Sequence, residues 1–229
     1  MSAENAPSVI LRHTSFSYQQ WGAATSALQD INLCLPSTGF VLVRGHNASG
    51  KSTLLKLIGG LLRPGAGSVE VFGRDPSRAP PTWRARHIGY VDQHPDADLV
   101  AGLTIDEHLR LLGQEWTAFA SELRRLDPSG HFSFLSDCRR QTVDRLSGGQ
   151  RQSFGLALQL VRPVPLLLLD EPFAALDLER TAAFTETLRR IAKDRCVVHV
   201  THAAAPANAA EITLRLTGGR LVKEERIDK

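Results

Sequence analysis

Residues 45–52 read "GHNASGKS": two glycines bracket four variable residues, and a lysine and a serine follow. Such a stretch suits holding a phosphate. The glycines let the backbone turn its N–H groups inward as a nest for anionic oxygens. Lys51 can reach the β- and γ-phosphates of a nucleotide, and the Ser52 hydroxyl can ligate Mg²⁺. The stretch follows "GFVLVR", a strand by its apolar run, and precedes "STLLKLIGG", a helix. That frame is what a phosphate-binding loop requires, because the helix N-terminus adds partial positive charge. The other reading is a flexible turn, but with average residue usage this spacing arises by chance in roughly one chain in a hundred of this length.

Phosphate chemistry also needs carboxylates, and "LLLLDEP" (166–172) supplies two. Four leucines in a row suit a strand buried on both faces. Ligands of open α/β sheets gather at the carboxyl ends of the strands, so Asp170 and Glu171 would face the phosphates. Asp170 fits an outer-sphere Mg²⁺ role, and Glu171 is placed to polarise an attacking water. A third stretch, "LSGGQRQ" (146–152), puts a Gly-Gly pair ahead of another helix, with Ser147 available as a cap. One chain thus carries two anion-receiving helix termini, whereas one ATP needs one. A head-to-tail pair of subunits, each lending its second terminus to its neighbour, resolves the surplus.

The elements that must position these residues are legible as alternation. Strand-type runs are "SVILRHTSFSY", "LQDINLCLP", "GFVLVRG", "GSVEVFG", "HIGYVDQ", "LLLLDEP", "CVVHVTH", "EITLRLTGG" and "RLVKEER". Helical spacing covers 51–60, 104–113, 115–126, 149–161 and 178–193. An antiparallel start gives way to strands alternating with helices, the pattern of a mainly parallel sheet covered on both faces. Residues from about 94 to 145 break that pattern and read as a helical insertion.

The 229 residues are 42% hydrophobic, enough for a packed core, and 27 Lys+Arg against 24 Asp+Glu leave a charge of only +3. No long basic run points to nucleic acid, and Arg124–Arg125, Arg139–Arg140 and Arg189–Arg190 read as solvated helix faces. Three scattered cysteines suit a reducing compartment. The N-terminal "MSAENAPSVILRH" lacks the apolar core of a signal peptide, and no apolar run approaches the roughly 18 residues needed to span a bilayer.

Over nearly its whole length the chain resembles the ATP-binding cassette (ABC) ATPases. "GHNASGKS" is similar to the family's Walker A, "LLLLDE" to its Walker B, and "LSGGQ" matches its signature without change. The resemblance implies a single domain over 1–229: an α/β P-loop NTPase, its RecA-like core of mainly parallel sheet joined to an antiparallel β subdomain. The core would take about 1–93 and 146–229, with an inserted helical subdomain over about 94–145. It implies ATP and Mg²⁺ as ligands. Gly45, His46, Asn47, Ala48, Ser49, Gly50, Lys51, Ser52 and Thr53 would hold the nucleotide on one side, and Ser147, Gly148, Gly149 and Gln150 on the other. Tyr18, ending "SFSY", resembles the aromatic that stacks on adenine; an ordinary strand tyrosine is the alternative. Gln93 in "YVDQ" resembles the Q-loop glutamine that senses Mg²⁺ and the γ-phosphate, Asp177 in "ALD" the D-loop aspartate, and His202 the switch histidine that positions water with Glu171. His199, inside its strand, is read as structural.

The sequence departs from the family at Ala174–Ala175, where a serine often precedes "ALD", and at Asp92, which sets a negative charge beside the Q-loop glutamine. Gly155 stands inside the helix after the signature, at a cost of about 1 kcal/mol relative to alanine unless packing demands it. The implied function is the energising subunit of a transporter, paired as a homodimer or heterodimer of cassettes. Separate transmembrane permease subunits would be its partners, with no nucleic acid. It would sit peripherally on the cytoplasmic face of the inner membrane, touching the membrane only through its partner. A soluble ABC ATPase acting on DNA or ribosomes is the alternative, but this chain has neither a long coiled-coil insertion nor a second cassette. A small-molecule kinase has no use for "LSGGQ".

Overall fold

A computed structural model describes residues 7–20, 23–94, 96–97, 99–172, 178–201 and 210–226. The chain divides into two compact units, residues 1–90, 164–171 and 188–229 in the first, 91–163 and 172–187 in the second.

The first unit holds both sheets. β1 (Val9–Gln20), β2 (Ala23–Leu35) and β4 (Ala66–Val71) form an antiparallel sheet in the order β2-β1-β4. The second sheet runs β5-β6-β7-β3-β8-β9, from β5 (Ile88–Val91), β6 (Leu166–Asp170), β7 (Cys196–Thr201), β3 (Gly39–Arg44), β8 (Ile212–Thr217) and β9 (Arg220–Arg226). β3 pairs in parallel with β7 and β8, β6 pairs in parallel with β7, and β8 pairs antiparallel with β9. The composition follows the position. All five residues of β6 are buried, as a strand covered on both faces requires, whereas β9 at the sheet edge is exposed and charged, which discourages pairing with another chain. Helix α1 (Lys51–Ile58) starts directly after β3 and packs Leu54, Leu55, Leu57 and Ile58 into the same core as Leu166 and Leu168. The short helix α2 (Pro81–His87), absent from the periodicity, buries no residue and begins on a proline. Its Trp83 stacks on His87 at 4.3 Å.

His199, central in β7, is buried and lies against the Phe40 ring, with centroids 6.3 Å apart. Burial pushes its imidazole down from 6.5 to about 4. The unfolded chain therefore takes up this proton first, and stability should fall as pH drops from 6.5 toward 4, by up to about 3 kcal/mol. Urea unfolding of the wild type and His199→Leu across that window checks this: the leucine variant should show a shallower pH slope. Parallel slopes would remove His199 as the cause.

The second unit is helical: α3 (Ile105–Leu111), α4 (Trp116–Leu126), the one-turn α5 (Leu135–Cys138), a 3₁₀ turn (Val143–Arg145), α6 (Gly148–Val161) and the first part of α7 (Leu178–Ile191). Phe132 packs edge-to-face on Phe184 of α7, centroids 5.3 Å apart. Backbone bonds from Val143 to Leu103 and from Asp144 to Ala101 hold the approach to α6 against the loop before α3. α3 and α6 each open with a capping box. No helix among the described residues is long and apolar enough to cross a membrane.

Candidate nucleotide site

The turn from β3 into α1 is shaped by its glycines. Gly50 adopts φ 100°, and a Cβ there would stand 2.5 Å from the Ala27 carbonyl oxygen and 2.7 Å from Leu28 Cδ2. A Cβ on Gly45 would stand 2.4 Å from both the Leu216 carbonyl oxygen and Ser49 Oγ. Neither position has room for a side chain, so the loop lies tight against the sheet with its backbone uncovered. His46, Asn47 and Ala48 form its exposed crest, Ala48 at φ 60°. Ser49 Oγ is buried with no hydrogen-bond partner among the described residues. In contrast to α3 and α6, α1 has no side-chain cap, and its first turn holds no acid. An uncapped, acid-free helix start beneath a close-packed glycine loop fits a phosphate.

Lys51 is 5% exposed. Its ammonium donates to the carbonyls of Gly45 (2.9 Å) and His46 (3.0 Å) and stands 3.7 Å from Glu171 Oε1. The loop's own carbonyls thus aim the cation, and a carboxylate balances it. Ser52 Oγ donates to Asp170 Oδ1 at 2.9 Å, across 118 residues of sequence. A hydroxyl and a carboxylate in contact are the oxygen donors a Mg²⁺ ion uses, so this pair fits that group by its chemistry. Tyr90 completes the arrangement by donating its hydroxyl to Asp170 Oδ2 at 3.3 Å. Tyr90 sits in the quoted "YVDQ", where nothing in the sequence marks it as a partner of Asp170.

Glu171 follows β6 with its N–H on the Val200 carbonyl (3.2 Å) and its backbone at φ 52°, a region costly for a non-glycine residue. The strained turn separates the two acids. Asp170, at 1% exposure, is engaged by Ser52 and Tyr90, while the Glu171 side chain, 12% exposed, faces Lys51. Tyr18 lies beside the first turn of α1, its hydroxyl 3.3 Å from Thr53 Oγ1 and its ring edge-to-face with Phe16 at 4.9 Å. Lys51, Ser52, Thr53, Asp170, Glu171 and Tyr18 are therefore brought together in the first unit.

The signature residues and Gln93 belong to the second unit. Ser147 caps α6 in the second unit: its Oγ accepts the Gln150 N–H at 3.2 Å, and Gln150 Oε1 accepts the Ser147 N–H at 2.8 Å. Ser147, Gly148 and Gly149 are exposed, and a Cβ on Gly149 would meet nothing within 4 Å. Gln93, also of the second unit, is exposed, with its N–H on Asp92 Oδ1 at 2.7 Å. Asp177, His202 and the Ala174–Ala175 pair lie outside the described residues. The second unit also carries a groove of about 420 Å³ at whose walls Val100, Leu111 and Leu112 are 49%, 70% and 57% exposed. Gly155 of α6 lines the same groove.

The sequence model of the ABC transporter family matches residues 28–174, from β2 past the two acids. This chain belongs to the ABC transporter family. It is 30% identical to the energy-coupling factor transporter ATP-binding protein EcfA1 of Enterococcus faecalis, over 97% of this chain and 80% of that one. The EcfA1 protein of Lactiplantibacillus plantarum is 31% identical, over 96% of this chain and 79% of that one. Among solved structures, a dimeric bacterial ABC transporter cassette matches with a TM-score of 0.81 and 25% identity, covering 96% of this chain and 99% of that one. A dimeric post-hydrolysis cassette bound to ADP and phosphate matches with a TM-score of 0.78 and 27% identity, at the same coverage. The fold is that of an ABC cassette, and the chain is an ATP-binding, ATP-hydrolysing subunit that powers transport.

Proposed function

We propose that this ABC ATPase works as one half of a head-to-tail pair, homodimeric or heterodimeric, that closes around two ATP molecules. The observation that carries the reading is the contrast between its glycines. Gly45 and Gly50 are required by the subunit's own packing, whereas Gly149 has open space where its side chain would be. A glycine that the fold does not need, on the exposed start of a capped helix, suits close approach by something outside the subunit.

In this reading Lys51 and the α1 terminus hold the β- and γ-phosphates, and Tyr18 presents a ring face to adenine. Mg²⁺ would be held by Ser52 and Asp170, and would supply neutralisation of the phosphate charge. Tyr90 fixes the Asp170 carboxylate from behind. Glu171 accepts the proton of the attacking water, and Asp177 and His202 take the D-loop and switch roles that the family resemblance implies. Ser147, Gly148 and Gly149 act on the nucleotide bound by the other subunit. The apolar walls of the groove in the second unit suit a short helix of a separate permease subunit. The relatives EcfA1 are named as transporter ATP-binding proteins, and the solved cassettes are described as dimeric. The location that follows is peripheral, on the cytoplasmic face of the membrane, through that partner.

Mixing two inactive variants tests the pairing. Lys51→Ala loses the cradle, and Gly149→Asp blocks the signature without a clash inside its own subunit. In a mixed dimer one site combines both intact halves, so ATPase activity should return, up to about half the wild-type rate per dimer if a single site turns over. A Gly149→Asp subunit that hydrolyses ATP normally by itself would refute the arrangement.

A further inference from the structure

Both ends of the peptide unit that leads into the signature serine are held by side chains from the first turn of α6. The Ser147 N–H is taken by Gln150 Oε1 at 2.8 Å, which is the capping box. The Leu146 carbonyl, on the other side of the same peptide plane, accepts from Arg151 Nη1 at 2.6 Å. The guanidinium also reaches away from the helix, its Nε 4.0 Å from Asp96 Oδ2, in the segment that follows Gln93. Leu146 itself is buried at 2% exposure, so its side chain anchors one end of the clamp.

A peptide held at one end by an amide and at the other by a charged fork has little freedom to rotate. A hydrogen bond from a charged donor is about twice as strong as a neutral one, and the planar guanidinium can serve two acceptors in different directions. The need for such a clamp is visible next door. Ser147, Gly148 and Gly149 are exposed, and among the described residues a Cβ on Gly149 would meet nothing within 4 Å. Two consecutive glycines would otherwise wander among backbone conformations.

We propose that Arg151 is a positioning residue of the signature: it fixes the Leu146–Ser147 peptide, and with it the directions of the Ser147 hydroxyl and the following N–H groups. Through Asp96 it also ties that terminus to the segment after Gln93. Its effect on dimer closure rests on the head-to-tail reading. Its effect on the backbone does not, and the two are measured separately.

The first measurement is amide exchange on the nucleotide-free protein. Arg151→Ala should speed exchange about tenfold at Ser147 and Gln150, whose N–H groups are the hydrogen-bonded ones of this turn, while residues 156–160 of α6 keep their protection. The second uses the Glu171→Gln parent, in which closure is followed as the ATP concentration for half-maximal dimerisation. Adding Arg151→Ala should raise that concentration about tenfold and leave ATP binding by the monomer within twofold. Arg151→Lys, which keeps a charged donor but loses the fork, should fall between wild type and alanine in both measurements. Unchanged exchange at Ser147 and Gln150 overturns the proposal. So does loss of protection throughout α6, because the arginine would then be supporting the helix rather than aiming its terminus. If the parent dimerises and Arg151→Ala closes at the parent's ATP concentration, the positioning role fails while the head-to-tail reading stands. If the parent never dimerises, the head-to-tail reading fails, and the claim on closure falls with it.

Discussion

Glu171→Gln should bind ATP within a few-fold of wild type while turnover falls by about 10² or more, the scale of losing a positioned base. The substitution is nearly isosteric. It keeps the backbone at φ 52°, where glutamine and glutamate pay a similar cost, and it leaves the Ser52–Asp170 contact alone. What changes is charge and basicity: the amide cannot accept a proton from water, and the 3.7 Å partner of Lys51 becomes neutral. That second change favours nucleotide binding, because Lys51 is then free of a competing carboxylate and meets the phosphates alone. Phosphate release under saturating ATP, paired with calorimetry on the same preparation, separates the two effects. Turnover within threefold of wild type would remove Glu171 from the chemistry.

Lys51→Ala should abolish both functions. The ammonium is buried among the Gly45 and His46 carbonyls, so no neighbouring cation can move into its place without rebuilding the loop. Charge-assisted hydrogen bonds are worth about 1.5–3 kcal/mol each, and losing those to two phosphate groups predicts affinity weaker by a factor on the order of 10² to 10⁴. The carboxylate of Glu171 would then face the incoming phosphates without its counter-charge, which adds to the loss. Lys51→Arg is the informative companion. It keeps the charge but cannot fit a planar fork where a compact ammonium sits, so it should recover affinity in part and turnover hardly at all. Unchanged ATP affinity in Lys51→Ala, measured by calorimetry, would mean that the glycine loop is only a turn.

What could be read without coordinates was what depends on local pattern and topology. "LLLLD" announced its own burial. The meeting of Ser52 with Asp170, 118 residues apart, followed from the rule that ligands collect at strand ends, and the contact lies where the rule put it. The Ser147–Gln150 capping box was present as a Ser-x-x-Gln spacing. Other features carried no such signal. α2 buries nothing, so it leaves no apolar period, although Pro80–Pro81 before Trp83 could have flagged a helix start. Tyr90 looked like one more strand aromatic, because nothing in its neighbourhood names an acid 80 residues away. Arg151 resembled any surface arginine on a helix, since its bond to Leu146 depends on which way a long side chain folds back. Gly155 read as a weak point in α6, and its place in a groove wall has no mark in the local pattern.

The central claim is that the two nucleotide-facing helix termini of one chain serve different ATP molecules, and the Glu171→Gln variant measures this directly by sedimentation equilibrium. Without nucleotide the chain should run at its monomer mass of 25.1 kDa, because a polar interface has little to hold it until ATP bridges the halves. With saturating ATP and Mg²⁺ it should shift to the dimer mass, about twice that value, and addition of Gly149→Asp should return it to monomer. A Glu171→Gln protein that binds ATP tightly yet stays monomeric at every ATP concentration would contradict the account, because both termini would then have to act within a single subunit.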